Sequence, residues 1–363
     1  MIKHLLIKSP PGFFQSAINC ENKSQTMNMS NSECNFLEAK NISDEQWKSI
    51  AVMEEFLKNE IYPHLRSGFD TDWKKVKEKV FKNLKISDIS FANNYYFFEN
   101  DKAKISIEAY ERKETLYFEF DYFGKTVPVE ITELVFDKIR EIMEEKHFEQ
   151  AMFHTFEKRL YGSALKTNAE IYEESVTSIL FKKDLDFKIL EKIVSENIAA
   201  NDFELKLYDM IPEELYERYI IYINEIYEDA NEFHPKKEKP KKFSLNDLKV
   251  RAEDIKNDNL PYYLYVLFDR DNIAAFCAVF IDKADGKFFI EHRGGFTTTG
   301  RNYRGKGLAR FLKAKMYLKI NEDYPDFEYI LTDTFPWNKY MYKVNEEFGF
   351  KPFQKGYTFR LKA

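Results

Sequence analysis

A chain of 363 residues has room for about two domains of ~150 residues each. Hydrophobic residues at 44% and charged residues at 32% supply a core and exclude wholesale disorder, while a net charge of −6 disfavours a generally basic nucleic-acid binder. No apolar run approaches the ~20 residues that span a bilayer, and Cys20, Cys34 and Cys277 give neither a disulfide framework nor paired metal-ligand spacing. The expectation is a soluble cytoplasmic protein with no membrane or nucleic-acid partner, as monomer or homodimer.

Residues 1–40 are polar and Asn/Ser-rich after Phe14, and read as an extension. Ser43-Asp-Glu-Gln46 has the form of a capping box ahead of an apolar-periodic helix. Strands are expected at Tyr95–Glu99, Ile105–Tyr110 and Leu116–Tyr122, with a hairpin break at Asn100–Lys102. A helix over Val129–Lys146 carries Leu134, Val135, Ile139 and Ile142 on one side. Strands follow at Ala151–Thr155 and Val176–Phe181, then a connecting helix over 185–200.

The second half repeats much of this order. A strand at Phe203–Tyr208 precedes a helix that Pro212 opens, over Glu213–Tyr227. The basic stretch 234–242 reads as a solvated loop, and Ser244 caps another helix. Strands are expected at Tyr262–Phe268 and Ile273–Ile281, followed by one long strand from Lys287 to Thr299. A helix then runs from Leu308 to Glu322, a strand over Tyr329–Asp333, a helix over Asn338–Phe348 and a last strand over Gly356–Leu361. This is a mixed α/β (α+β) chain with a weak internal repeat and a boundary near residues 185–202. Runs such as Tyr95-Tyr96-Phe97-Phe98 read as strand packing rather than as base-stacking platforms.

Glycine is scarce at 12 residues, yet six of them fall between Gly286 and Gly307. The segment from Gly300 to Ala309 joins a strand to a helix through Gly300, Gly305 and Gly307, with Arg301, Arg304, Lys306 and Arg310 around the turn and no acid in residues 292–320. A helix start presents unpaired N–H groups and partial positive charge, and glycines let phosphate oxygens approach them closely. The segment suits a pyrophosphate. Beyond it Leu308, Phe311, Leu312, Met316 and Ile320 keep core spacing. The dinucleotide fingerprint fails for want of a third glycine, and the Walker A pattern fails because Gly307 stands where Ser or Thr should reach magnesium.

Arg304-x-x-Gly307-x-Ala309 resembles the phosphate loop of the GNAT superfamily of acetyltransferases. Asn338-x-x-Met341-x-x-Val344-Asn345-x-x-x-Gly349-Phe350 is similar to that superfamily's C-terminal signature. The resemblance covers roughly residues 203–363, and the two-half layout resembles tandem GNAT proteins. It implies two GNAT-like domains, a degenerate one at 41–190 and an N-acetyltransferase domain at 203–363, each a mostly antiparallel mixed sheet flanked by helices. It implies acetyl-CoA as co-substrate, no metal, and a small-molecule or peptide amine as acceptor, attacked directly in a ternary complex. The backbone of Thr297, Thr298 and Thr299 would pair with the pantetheine arm. Arg304, Gly305, Lys306, Gly307, Leu308, Ala309 and Arg310 would cradle the pyrophosphate, and Asn338 would lie near the cofactor beyond the splayed strands. The alternative is a non-catalytic acyl-CoA-binding or protein-interaction module; a longer acyl donor is a further option.

Many superfamily members place a tyrosine, the proton donor to the leaving thiolate, at the position held here by Asn345, so the general acid is unassigned. A base must take a proton from the amine. Glu291 is the first candidate, Asp333 the second and His292 the third, and Gly294-Gly295 would form a bulge re-aiming the strand. In the first half the corresponding turn begins at Gly124, with Glu130 and Glu133 in the helix that follows, and these acids would repel a phosphate.

Overall fold

The computed structural model describes residues 36–61, 72–83, 91–112, 114–155, 158–167, 169–197, 202–232, 242–258, 261–284, 287–292 and 296–362. Cys20, Cys34, the Gly294-Gly295 pair, residues 234–241 and all but the end of the polar extension lie outside them. The chain divides into two compact units. One holds the described residues up to Glu173 together with those from Gly356 onward; the other is Glu174–Lys355.

The first unit is built from β1 (Leu37–Glu38), α1 (Asp44–Phe56), α2 (Trp73–Asn83), β2 (Ala92–Glu99), β3 (Lys102–Arg112), β4 (Thr115–Tyr122), α3 (Val129–Lys146), β5 (Gln150–Thr155) and α4 (Lys158–Ala164). The capping box at Ser43 forms: its hydroxyl accepts from Gln46 N–H at 3.3 Å, and Gln46 Oε1 accepts from Ser43 N–H at 3.0 Å. Strand alternation divides the core. Ile105, Ile107 and Ala109 of β3 pack with Val135, Ile139 and Ile142 of α3. Tyr96 and Ala103 pack on the other face with Trp47 and Ile50 of α1 and Val76 of α2. Neighbours β1 to β4 are antiparallel, and β4 runs parallel to β5 through the crossover helix α3. Residues Tyr357–Lys362, in the strand β13 (Lys351–Lys362), pair antiparallel with β5.

The second unit repeats the plan. Its elements are Val176–Phe181 of the strand β6 (Glu170–Phe181), α5 (Phe187–Glu196), β7 (Glu204–Tyr208), α6 (Tyr216–Glu232), α7 (Leu245–Asp258), β8 (Tyr262–Asp269), β9 (Asn272–Ala284), β10 (Lys287–Glu291), β11 (Thr297–Thr299), α8 (Leu308–Asp323), β12 (Tyr329–Thr334) and α9 (Lys339–Glu347). The sheet order is β7-β8-β9-β10-β12-β6, with β11 on β9. Only β10 and β12 are parallel among these pairs, and α8 is their crossover. Leu312, Met316 and Ile320 of α8 and Leu190 of α5 cover one face with Leu267, Cys277 and Val279. Tyr219 and Ile223 of α6 and Leu248 of α7 cover the other with Leu264, Val266 and Phe276.

The single strand expected from Lys287 to Thr299 comes as two. Glu291 pairs with Phe280, whereas Thr297 pairs with Cys277. The chain advances farther between those pairs than β9 does, and one continuous ladder cannot absorb the surplus. The sequence reading also omits β1 and α4, which are short, and α2, although Trp73, Val76 and Val80 keep helical spacing there. No described helix is long and apolar enough to cross a membrane.

Candidate functional site

The site begins where two parallel strands part. Ile290 and Glu291 of β10 pair with Ile330 and Leu331 of β12, and His292 N–H donates to Leu331 C=O at 2.9 Å. Beyond that bond β11 pairs only with β9, while Thr332, Asp333 and Thr334 pair with Ser178, Thr177 and Val176 of β6. A wedge opens between β11 and β12. Ala278 N–H donates to Phe296 C=O and Gly300 N–H to Ala274 C=O, each at 2.9 Å. Residues 296, 298 and 300 therefore turn their peptide groups to β9. Antiparallel alternation turns those of Thr297 and Thr299 to the open edge.

The loop after β11 makes one 3-10 turn at Arg301–Tyr303 and then needs glycine twice. Gly305 has φ of +79° and Gly307 of +71°, the left-handed region that a Cβ disfavours. Gly307 is the N-cap of α8, and no side chain caps that end. The first-turn N–H groups of Leu308, Ala309 and Arg310 have no intrahelical partner by construction. Leu308 packs into the core and Arg310 is exposed.

The cations of this loop meet acids that lie far off in sequence. Arg301 bonds Asp229 Oδ1 through Nη2 at 2.9 Å and Glu228 Oε2 at 3.1 Å, both from α6. Arg304 also pairs with Asp229, and its Nε donates to Thr299 C=O at 3.3 Å. Arg310 pairs with Glu347 of α9 at 3.0 Å. Lys306 Nζ stands over the Phe203 and Tyr303 rings at 5.4 and 5.9 Å. The uninterrupted positive field read from residues 292–320 is thus answered by carboxylates from two other helices. Each pair is half-exposed and therefore individually weak.

The candidate proton-transfer groups gather around the wedge in different states. Glu291 is 5% exposed at the last paired position of β10. Asp333 is exposed, and its Oδ1 accepts from the Thr177 hydroxyl at 2.6 Å. His292 is buried, with Nε2 2.8 Å from the Tyr317 hydroxyl. Burial and the nearby Lys313 charge hold its pKa well below the usual histidine range, so the ring is neutral. Asn338 caps α9, its Oδ1 accepting from Met341 N–H at 3.1 Å. Asn345 is buried: its Oδ1 accepts from Lys313 Nζ at 2.7 Å, and its Nδ2 donates to Thr334 Oγ1 at 3.1 Å. Cys277 is a buried thiol pushed up to about 11 by burial, and its Sγ accepts from the Thr297 hydroxyl at 3.3 Å.

Sequence reasoning passed over Lys313, Asp229 and Asn197. Lys313 carries a readable signal, because it shares a helical stripe with Met316, Tyr317 and Ile320. Asp229 and Asn197 carry none, since only folding brings them to the loop. Among the described residues no group of three or more His, Cys, Asp and Glu side chains is placed to hold a metal ion.

Comparison of the sequence with family models gives no match, and comparison with curated proteins gives none either. The structure is informative. A tandem GNAT protein from the clavulanic acid biosynthesis pathway aligns with a TM-score of 0.64 at 13% identity, covering 91% of this chain and 98% of that one. The chain has the tandem GNAT fold. A GCN5-related N-acetyltransferase from Sphaerobacter thermophilus aligns at 0.54 and 11% identity, covering 88% of this chain and 94% of that one. The glucosamine N-acetyltransferase region of a fungal multi-domain protein aligns at 0.57 and 10% identity, covering 91% of this chain and 38% of that one. Within the GNAT fold the Arg304–Arg310 segment forms the loop and first turn of α8, and Asn338 opens α9.

Proposed function

We propose that the second unit transfers an acetyl group from acetyl-CoA to a primary amine of a small molecule or peptide. The observation that carries this reading is the uncapped start of α8, with left-handed Gly305 and Gly307, at the end of a strand that has parted from its parallel neighbour. The residues fit the donor. The turned-out peptide groups of Thr297 and Thr299 match amides of a pantetheine arm, and the N–H groups of the first turn of α8 match a pyrophosphate. Arg304 and Arg310 move from Asp229 and Glu347 to the phosphates as these bind, exchanging weak surface pairs for stronger phosphate contacts. Glu291, at the base of the wedge, takes the proton of the attacking amine, with Asp333 as the second candidate. The wedge itself supplies proximity and excludes water from amine and thioester.

Among the described residues the first unit offers no comparable cradle. The carbonyls of Tyr122 and Gly124 are taken by the Arg159 guanidinium, the former at 3.0 Å, and Glu130 occupies the first turn of α3. This supports placing the donor in the second unit.

One observation favours a second reading, a non-catalytic acyl-CoA-binding module: Asn345 cannot release a proton and already bonds Lys313 and Thr334. Two measurements separate the readings. CoA raises the melting temperature under both, and Gly307→Glu abolishes that rise; an unchanged rise removes the loop assignment. Thiol release from acetyl-CoA with a panel of amines occurs only if the protein transfers the acetyl group.

A further inference from the structure

Lys313 is 1% exposed, in the second turn of α8. An ammonium is strongly hydrated, and burying one without an opposite charge is unfavourable. Among the described residues no carboxylate pairs with it. Its Nζ donates one hydrogen bond, to Asn345 Oδ1 at 2.7 Å, and stands 5.4 Å from the centroid of the Phe350 ring. Asn345 passes the chain on to Thr334, the last residue of β12, at 3.1 Å. The sequence Lys313–Asn345–Thr334 therefore links α8 through α9 to the strand that has left β10. On the other side, Cys277 is the electrostatic neighbour of Lys313, and Cys277 bonds Thr297 on β11. The ammonium thus lies between Asn345, which reaches Thr334 at the end of β12, and Cys277 of β9, which bonds β11. Two of its three N–H bonds have no protein acceptor among the described residues.

Resting on the transferase reading above, we infer that Lys313 is the general acid of the transfer, aimed by Asn345. As the amine nitrogen bonds to the acetyl carbon, the C–S bond breaks and its electron pair stays on sulfur. An Nζ–H bond of Lys313 then breaks, the proton goes to sulfur as a thiol, and the pair stays on Nζ as a neutral amine. The proton lost by the attacking amine goes to Glu291 and out to water, and Lys313 takes one back from water when product leaves. Thioester plus amine becomes amide plus thiol, with no other reactant.

The acidity suits the task. Burial pushes Lys313 down to about 8, near the ~8.5 of a free cysteine thiol, and proton transfer is best served by matched groups. The other titratable groups facing it do not change charge in that range. Cys277 of β9 and Tyr317 of α8 are pushed up by burial, and His292 after β10 is held neutral. Asn345 of α9 and Thr334 of β12 do not titrate.

The test is thiol release from acetyl-CoA by the full chain and its variants across pH. Wild-type kcat is expected to fall above about pH 8, as the acid loses its proton. Lys313→Met should lower kcat about 100-fold, with KM for acetyl-CoA and the CoA-induced rise in Tm unchanged, and should erase that alkaline limb. Lys313→Arg keeps a cation that does not release its proton, and should lose kcat equally. Wild-type kcat in either variant, or no alkaline limb in the wild-type protein, overturns the assignment; the last holds even where neither variant folds. If the wild-type protein releases no thiol with any amine, the transfer reading fails and takes this assignment with it. Turnover that survives loss of Lys313 removes the assignment alone.

Discussion

The side-chain amide of Asn197 donates to the carbonyl of Gly307 at 3.2 Å and reaches the Lys306 carbonyl at 3.4 Å. A residue just past the end of α5 therefore ties down the loop by its carbonyls, which leaves the N–H groups of the next turn facing outward. Asn197→Ala is expected to change stability by no more than about 1 kcal/mol, the usual net worth of one exposed hydrogen bond. Its larger effect should be on the donor: KM for acetyl-CoA rises several-fold while kcat at saturation holds. Steady-state kinetics at varied acetyl-CoA checks this, and an equal fall in kcat would contradict it.

Asp229 pairs with Arg301 and Arg304 together. If these arginines serve the pyrophosphate, the acid competes with it. Asp229→Asn should then tighten CoA binding about fivefold, equivalent to ~1 kcal/mol for charges at an exposed site, and steepen its salt dependence. Calorimetric titration at two salt concentrations gives the answer. Weaker binding by the variant would mean that Asp229 orients the arginines rather than occupying them.

Lys313 leaves a trace in stability that does not depend on turnover. Its folded pKa, pushed down to about 8, lies below the ordinary value of 10.5. The unfolded chain therefore binds more protons between these values, and stability contributed at this position rises with pH through that window. The difference in unfolding free energy between wild type and Lys313→Met should shift in favour of wild type from pH 8 to pH 10.5. Urea titrations at both ends measure it, and a pH-independent difference would show an ammonium that is not desolvated.

His292 gives the opposite end of the scale. Its pKa is held well below the ordinary 6.5 by burial first and by Lys313 second. A base depressed in this way contributes stability that is complete above 6.5 and lost as pH falls, because the unfolded imidazole takes up the proton first. His292→Gln should flatten the fall in stability between pH 7 and pH 5. Unchanged acid sensitivity in urea titrations would place the protonation elsewhere.

Much of the second unit can be read from local pattern. Unbroken apolar runs bounded by Pro261 and the Asp271-Asn272 turn mark β8 and β9, the stripe through Leu312, Met316 and Ile320 marks α8, and Gly305 with Gly307 marks its start, because each rests on residues close together in sequence. Two features lie beyond local pattern, and a third is hidden by its residue type. The break between β10 and β11 is a matter of register on β9, visible only once the ladder exists. The acids that meet Arg301 and Arg304 come from α6, with four strands and a helix between them in sequence. Lys313 looks like an ordinary surface lysine until its stripe is counted, since lysine is rarely buried.

The pairing of Thr155 with Tyr357 bears on how the protein is made. Phe359 and Leu361 fill the core beside β5, yet the ribosome reaches them only after the whole of the second unit has been translated. Vectorial synthesis usually lets an N-terminal domain finish first. Here the earlier-born body must wait, one sheet edge open, for a strand that does not yet exist, and nascent chains stalled before Gly356 should engage chaperones through that edge.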